Sequence, residues 1–223
     1  MLTQRFIVGL AVLSMALPLL LGLLPMVHAA QSAVFPDFEY ELVDGNPPAT
    51  YRITDIQIGD LDGDGLPDIW TTGFGDGVDA YQMVWYKNPS WTRYEISPGD
   101  FMYGNLGDFD GDGDLDIVAG QRDDSRVYWF ENTGNPEQPD WPKHYLGVND
   151  WPDLFLVGDV DGDERLDIVY AYKDAFGWAQ NPADPTTTWQ TFTIWSGTRR
   201  TGGALADIDL DGDLDVLYGN AWF

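Results

Sequence analysis

The chain of 223 residues has no cysteine, two histidines and few basic residues. Without cysteine it cannot form disulfides, carry a thiol nucleophile or build the usual zinc sites. Only one histidine, His144, lies beyond the apolar N-terminal segment, so Ser-His-Asp and Cys-His catalytic sites are not expected. We predict His144 to be a packing or surface residue. The 11 Lys and Arg residues stand against 37 Asp and Glu, a net charge of −26, which argues against nucleic acid and anionic lipid as partners.

Helical patterns and long apolar runs are scarce. One apolar run extends from Phe6 to Leu24 behind Arg5, and Val27-His28-Ala29 then places small residues where signal peptidase reads them. We therefore predict a signal peptide over residues 1–29 and no membrane insertion of the mature chain. The alternative is an uncleaved anchor, since the run is long enough to span a membrane. Outside this leader no 3.6-residue apolar stripe covers ten residues, so helices are not expected.

The chain does contain one acidic, glycine-rich nonamer in four copies. They begin at Asp60, Asp108, Asp159 and Asp207, 48 to 51 residues apart, and align without gaps. Every copy has aspartate at positions 1, 3, 5 and 9. A fixed period of this length indicates stacked supersecondary units.

Four aspartates in so short a segment converge on one point if the segment curls, and glycine at positions 4 and 6 allows it to curl. Carboxylates this close repel one another, and an oxygen-only site without Cys or His suits calcium. We therefore predict about four structural Ca²⁺ ions. The predicted side-chain ligands are Asp60, Asp62, Asp64, Asp68, Asp108, Asp110, Asp112, Asp116, Asp159, Asp161, Asp163, Asp167, Asp207, Asp209, Asp211 and Asp215.

Two copies depart from the glycine pattern. Leu210 replaces glycine at position 4 of the fourth copy, and Glu164 replaces glycine at position 6 of the third. Because a side chain disfavours the left-handed backbone, Glu164 must either adopt it or reshape the loop. Calcium binding at the third copy therefore stays open.

The EF-hand is the competing interpretation of this nonamer, and it fails in two respects. Position 12 should be a bidentate glutamate, but here it is Thr71, Ala119, Tyr170 or Tyr218. Each copy is also followed by a short apolar run such as Ile117-Val118, which is typical of a buried strand and not of a helix.

A second signature follows the first three copies. It consists of tryptophan, two residues and asparagine, as in Trp85–Asn88, Trp129–Asn132 and Trp178–Asn181. Turn residues and closing strands follow at Trp91–Ile96, Trp141–Leu146 and Trp189–Ile194. Each unit thus holds four short strands in about 48 residues. This pattern predicts an all-β fold, a β-propeller of four-stranded antiparallel blades with the calcium loop between the first two strands of each blade.

The loop followed by the tryptophan signature resembles the FG-GAP/VCBS repeat family, the calcium-binding propeller blades also found in integrin α subunits. The resemblance covers residues 52–223. It implies that position 7 supplies a backbone carbonyl to the metal, which would add Leu66, Asp114, Arg165 and Asp213 to the ligands. It also implies an extracellular or periplasmic location at or outside the cell surface.

The units are expected at about 52–99, 100–149, 150–198 and 199–223, the last one incomplete. Trp222 aligns with the signature tryptophans, so the closing strand of this unit is missing. The preceding segment, 30–51, contains a possible ring-closing strand at 38–43. Either this strand closes a four-bladed ring, or the chain is a fragment of a larger propeller, possibly seven-bladed. We favour the fragment, because a stable protein should not end on an exposed strand edge.

Function is less determined than fold. We expect a non-catalytic module that binds a carbohydrate or an extracellular protein surface, with Trp70, Trp151 and Trp195 as candidate stacking residues because they fall outside the repeat pattern. Trp91, Trp141 and Trp189 are expected near the surface, and the signature tryptophans between blades. The alternatives are part of a polysaccharide lyase or hydrolase, some of which resemble this fold and use calcium, and a purely structural repeat of a large surface protein.

Overall fold

The structure, a computed structural model, describes residues 39–45, 52–74, 81–150, 152–172, 175–197 and 202–223. The predicted signal peptide lies outside these ranges. All elements below belong to one unit, Glu41–Phe223. Within the described ranges the regular structure consists of strands, and no helix has the length and apolarity needed to cross a membrane.

Fifteen strands follow one another along the part of the chain that the structure describes. They are β1 Arg52–Gly59, β2 Asp68–Phe74, β3 Tyr81–Lys87, β4 Thr92–Pro98, β5 Phe101–Gly107, β6 Asp116–Gln121, β7 Arg126–Phe130, β8 Lys143–Tyr145, β9 Leu154–Gly158, β10 Asp167–Tyr172, β11 Ala175–Gln180, β12 Gln190–Ser196, β13 Gly203–Ala206, β14 Asp215–Tyr218 and β15 Ala221–Trp222.

The strands form four separate antiparallel sheets in which each strand pairs with the next one in the chain. Blade 1 consists of β1–β4, blade 2 of β5–β8, blade 3 of β9–β12 and blade 4 of β13–β15. The nonamers connect the first and second strands of the blades, and we call them loop 1 (Asp60–Asp68), loop 2 (Asp108–Asp116), loop 3 (Asp159–Asp167) and loop 4 (Asp207–Asp215). The predicted all-β blades are confirmed. The described sheets do not close into a ring.

The register of the sheets repeats from blade to blade. The second residue after each loop pairs with the signature tryptophan of its blade. Trp70 pairs in this way with Trp85, and Val118 with Trp129. In blade 4, Leu217 pairs in the same way with Trp222. Trp222 is therefore the structural equivalent of the other signature tryptophans, as the alignment predicts.

The apolar core lies between neighbouring blades, because a single sheet cannot bury its own faces. One cluster joins blades 1 and 2 and includes Trp70, Trp85, Ile96, Phe101 and Ile117. A second joins blades 2 and 3 and includes Val118, Trp129, Phe155, Ile168 and Trp189. A third joins blades 3 and 4 and includes Val169, Phe176, Val216 and Tyr218. Each blade is thus stabilised by apolar burial against its neighbour.

Indole N–H groups also bond across the blade boundaries. Trp85 of blade 1 donates from Nε1 to the carbonyl oxygen of Pro136 in blade 2 at 3.0 Å, and Trp141 donates to the same oxygen at 3.3 Å. Trp129 and Trp189 converge in the same way on Pro185, at 3.1 and 2.9 Å. The prediction that the signature tryptophans pack between blades is confirmed for Trp85 and Trp129 and is wrong for Trp222, which is 49% exposed. The prediction that Trp141 and Trp189 lie near the surface is wrong, because both are buried against the neighbouring signature tryptophan.

The blades approach each other closely at a glycine that ends the first strand of each of the first three blades. A Cβ atom on Gly158 would lie 2.9 Å from Leu205 and 2.9 Å from Leu214 of blade 4. Gly59 faces Leu106 and Leu115 of blade 2 at 2.8 and 2.7 Å in the same way. The neighbouring sheets can therefore pack this closely only because glycine has no side chain at these positions.

Two further sequence expectations fall on the described residues. Trp70, a candidate for stacking on a ligand, is fully buried in the core, and Trp195 is half-buried against the cluster of blades 3 and 4. Trp151 lies outside the described residues. Residues 39–45, which overlap the possible strand at 38–43, contain no strand, and within them Asp44 accepts a hydrogen bond from the Tyr86 hydroxyl.

Candidate metal centre

The four loops share one backbone conformation. Positions 4 and 6 have positive φ in every loop, for example 71° at Gly63 and 87° at Gly65. Glu164 and Leu210 take the same left-handed conformation, with φ of 70° and 65°. The third and fourth loops are therefore not reshaped by these side chains. Instead, Glu164 and Leu210 are strained, because a Cβ atom disfavours the left-handed backbone conformation.

Backbone amides hold the loop aspartates in place. The amide at position 6 donates to Oδ2 of the aspartate at position 1 in all four loops, at 2.8 to 3.2 Å. The amide at position 7 donates to Oδ1 of the aspartate at position 5, at 2.9 to 3.4 Å. These bonds close each loop on itself and fix the orientation of the carboxylates at positions 1 and 5.

Three of the four predicted carboxylates of each loop come together. Oxygens at positions 1, 3 and 9 lie within 4.8 Å of one another in each group: Asp60, Asp62 and Asp68; Asp108, Asp110 and Asp116; Asp159, Asp161 and Asp167; Asp207, Asp209 and Asp215. The position 5 aspartates, Asp64, Asp112, Asp163 and Asp211, are not in these groups.

The geometry and chemistry of these groups fit a hard cation. Oxygen ligands about 2.4 Å from a shared Ca²⁺ ion are separated by at most roughly 4.8 Å. The donors are carboxylates alone, which suits a hard cation such as Ca²⁺, Mg²⁺ or Mn²⁺. Each of the four groups could therefore hold a metal ion.

The aspartate at position 9 is the buried member of each group. Asp68, Asp116 and Asp167 are fully buried and Asp215 nearly so. Their Oδ2 atoms accept hydrogen bonds from the amide at position 2 at 2.7 to 3.1 Å. Burial raises the pKa of Asp116 to about 8 and that of Asp167 to about 6, because desolvation outweighs the backbone hydrogen bonds. A divalent cation in the group would stabilise the ionised form that burial disfavours.

The asparagine of the tryptophan signature ties each loop to the rest of the fold. The backbone amides of Asn88, Asn132 and Asn181 donate to Oδ1 of the position 9 aspartate of their own blade at 2.8 to 2.9 Å. The Asn132 side chain also reaches back to blade 1, where Nδ2 donates to the Leu61 carbonyl of loop 1 at 2.9 Å. Asn181 bonds to Phe109 of loop 2 in the same way at 2.8 Å. This role was not predicted from the sequence, although asparagine recurs at the same place in the three tryptophan signatures.

The remaining predicted site residues occupy position 7 of the loops: Leu66, Asp114, Arg165 and Asp213. Their role as backbone carbonyl ligands to the metal stays a prediction from the resemblance. The Arg165 side chain is engaged elsewhere, since Nε donates to the Asn181 carbonyl at 2.9 Å and the guanidinium pairs with Asp163.

His144 is a packing residue, as predicted. Its ring stacks on Trp129, with 4.5 Å between centroids and 26° between planes, and Nε2 lies 2.8 Å from Oε2 of Glu131. The ring therefore contacts a core indole and a carboxylate.

Comparison with known proteins agrees with this arrangement. A family model described as FG-GAP-like repeat matches residues 108–170 and 159–218, so each match begins on a loop and runs into the next blade. No curated protein matches the chain. The match and the four repeated loops show that the chain belongs to the FG-GAP-like repeat family.

Proposed function

We propose that this chain is a non-catalytic, calcium-stabilised module of an exported protein, and that its exposed surface binds a partner outside the cytoplasm. One observation carries the proposal: the same three carboxylates meet at the same place in all four blades. Four repeats of one metal group at the strand connection fit a structural ion, because each ion would pin one blade turn. Sites of this kind in extracellular modules can bind as weakly as about 10⁻⁴ to 10⁻³ M.

The charge of the chain supports both calcium and an extracellular setting. Four calcium ions would bring the net charge of −26 to roughly −18. Calcium is abundant outside cells, where weak sites of this class are filled. The leader-like segment over residues 1–29 and the absence of cysteine agree with export of a protein whose metal ions replace disulfides as cross-links.

The partner is proposed to be a protein surface or a carbohydrate. With Trp70 in the core and Trp195 packed against blade 4, two of the three aromatic candidates for sugar stacking are lost. The remaining negative charge favours a surface with basic groups, because electrostatic complementarity steers association and rejects acidic partners. We therefore place a basic protein surface before a carbohydrate.

Thermal unfolding with and without calcium tests the metal part of the proposal. At about ten times Kd, each site adds roughly 1.4 kcal/mol, so four sites add about 6 kcal/mol. For a chain of this size that corresponds to a rise in Tm of roughly 12 to 24 °C over the value in EGTA. An equal Tm in calcium and in EGTA would contradict the proposal.

A matched pair of variants assigns the shift to the loops. Asp110→Asn removes one charge from the group of loop 2, and Glu95→Gln removes one charge from β4, where the carboxylate pairs with Arg93. We expect a smaller calcium-induced shift for Asp110→Asn and an unchanged shift for Glu95→Gln. Equal shifts would mean that calcium acts elsewhere.

Binding assays test the partner part. Calcium-loaded protein is screened against immobilised basic proteins and against a panel of neutral and acidic glycans at physiological salt. We expect the protein to bind the basic proteins. This binding should weaken as the salt concentration rises and disappear in EGTA. Binding to acidic glycans alone would contradict the electrostatic argument.

A further inference from the structure

One position of the first three blades lies outside the loop, at or just after the end of the third strand. It is the second residue after the signature tryptophan: Lys87 in blade 1, Glu131 in blade 2 and Gln180 in blade 3. Lys87 and Gln180 end the third strand of their blades, and Glu131 follows directly on β7. We call this position the gate position.

In blades 1 and 3 the gate side chain contacts the aspartate at position 3 of its own loop. Lys87 Nζ is bonded to Oδ2 of Asp62 and lies 3.5 Å from Oδ2 of Asp64. Gln180 Nε2 donates to Oδ2 of Asp161. In blade 2 Oε2 of Glu131 instead lies 2.8 Å from Nε2 of His144. The gate side chain therefore contacts the same ligand in blades 1 and 3.

The three gate residues carry three different charges. In loop 1 the Lys87 ammonium already occupies part of the coordination space of a cation, since it contacts two carboxylates of the loop. In blade 2 the gate residue is the carboxylate Glu131, which bonds to His144, and within the described residues no ion pair with Lys or Arg reaches loop 2. In loop 3 the gate residue is a neutral amide, while Arg165 pairs with Asp163 at position 5. The four loops are thus alike in backbone and unlike in electrostatics.

We propose that the gate position sets the calcium affinity of each blade, and that Lys87 is a built-in competitor that makes loop 1 a weaker site than loop 2. This inference rests on the calcium binding proposed above. Loop 2, which has a carboxylate and no ammonium at the gate position, fills at a lower calcium concentration than loop 1. Loop 1 fills only when calcium displaces the ammonium from Asp62.

The size of the effect follows from Coulomb's law. An ammonium held about 6 Å from a divalent cation opposes binding by roughly tenfold, even at the dielectric constant of water. Lys87 sits on a flexible four-carbon stem, so calcium can displace it without rearranging β3. The side chain of Asp62 is only 7% exposed, so solvent screens this contact less than it screens an ordinary surface pair. Tenfold is therefore the expected scale at loop 1.

Hydrogen exchange read by mass spectrometry measures each loop separately in the whole protein. Peptides covering loops 1, 2 and 4 are followed across a calcium titration, and the concentration at half-maximal protection is taken for each loop. In the unmodified chain we expect the loop 1 midpoint to lie about tenfold or more above the loop 2 midpoint. Loop 4 serves as the reference within every sample.

Two single variants and a charge exchange test the assignment. Lys87→Gln gives loop 1 the gate residue of blade 3 and should lower its midpoint about tenfold, while Glu131→Gln should raise the loop 2 midpoint severalfold. Lys87→Glu combined with Glu131→Lys should reverse the order of the two loops. Lys143→Gln is the matched control, because Lys143 has the same charge but bonds to Gln121 at the end of β6 opposite loop 2.

The outcomes separate this inference from the proposed function. Protection of the loops by calcium with midpoints that follow the gate charge supports both. In a second outcome, calcium protects the loops while the loop 1 midpoint is equal in Lys87→Gln, in Lys143→Gln and in the unmodified chain. That result overturns the proposed role of the gate position and leaves the proposed calcium binding intact. No protection of any loop by calcium overturns both.

Discussion

Asn132 and Asn88 occupy the same place in the tryptophan signature but differ in one contact, and this difference predicts how strongly each stabilises the fold. Both side chains donate to the position 8 carbonyl of their own loop, Asn132 to Leu115 at 3.4 Å and Asn88 to Pro67 at 2.9 Å. Asn132 alone also bonds to the Leu61 carbonyl of the preceding blade. Only Asn132→Ala should therefore break a contact between blades.

The magnitude follows from burial. Asn132 is 1% exposed, so water cannot replace its amide when the side chain is truncated. A buried carbonyl left without a donor costs about 1 to 3 kcal/mol, and Asn132→Ala leaves two carbonyls, Leu61 and Leu115, without this donor. We expect a loss of about 2 to 4 kcal/mol. Asn88→Ala should cost less than about 1 kcal/mol, because solvent reaches its exposed bond to Pro67.

Thermal unfolding in saturating calcium measures both variants. The expected loss for Asn132→Ala corresponds to a fall in Tm of roughly 4 to 16 °C, against a few degrees at most for Asn88→Ala. Equal falls for the two variants would refute the reasoning, because the contact between blades would then add nothing. An unchanged Tm for Asn132→Ala would refute it as well.

Three further predictions concern blade contacts, loop strain and export. Gly158→Val should lower stability by about 1 to 3 kcal/mol in urea unfolding, because its side chain would overlap Leu205 and Leu214; an unchanged midpoint would contradict the close approach of these blades. Glu164→Gly should raise Tm by a few degrees, since it relieves a positive φ worth about 1 kcal/mol, and a lower Tm would show that the glutamate makes a compensating contact. The exported protein should begin at Ala30 by N-terminal sequencing, and retention of residues 1–29 would support the uncleaved anchor instead.

The blades and loops could be predicted from the sequence because they follow from local spacing. Four nonamers at a fixed period place glycine where the backbone turns left-handed and aspartate where the loop curls inward. The conformation at Glu164 could also be narrowed to two alternatives, and the structure shows the left-handed one. These properties depend on residues within one loop, so a single sequence contains enough information to predict them.

The properties that sequence analysis missed depend on neighbouring blades. Trp141 and Trp189 start closing strands, and nothing in their own repeat indicates that each shares a carbonyl with the signature tryptophan of the preceding blade. Trp70 looked available because it breaks the repeat pattern, but it is buried by blade 2. Irregularity in the pattern was therefore a poor guide to exposure.

The position 5 aspartates show a similar limit inside the loop. Sequence spacing does not show which of the four carboxylates in a loop come closest together. In the structure Asp64 and its equivalents accept the amide of position 7, and the close group is formed by positions 1, 3 and 9. Lys87 was equally hard to foresee, because its contact with Asp62 joins residues far apart in the sequence.

The central claim is that the four aspartate groups bind calcium, and the most direct test is to count the ions. Protein stripped with EGTA is titrated with CaCl₂ in a calorimeter, and the calcium retained after gel filtration is measured by atomic emission. We predict four ions for each chain, one for each group of three carboxylates. A chain that binds no calcium, while its Tm is the same with and without the ion, would contradict the claim.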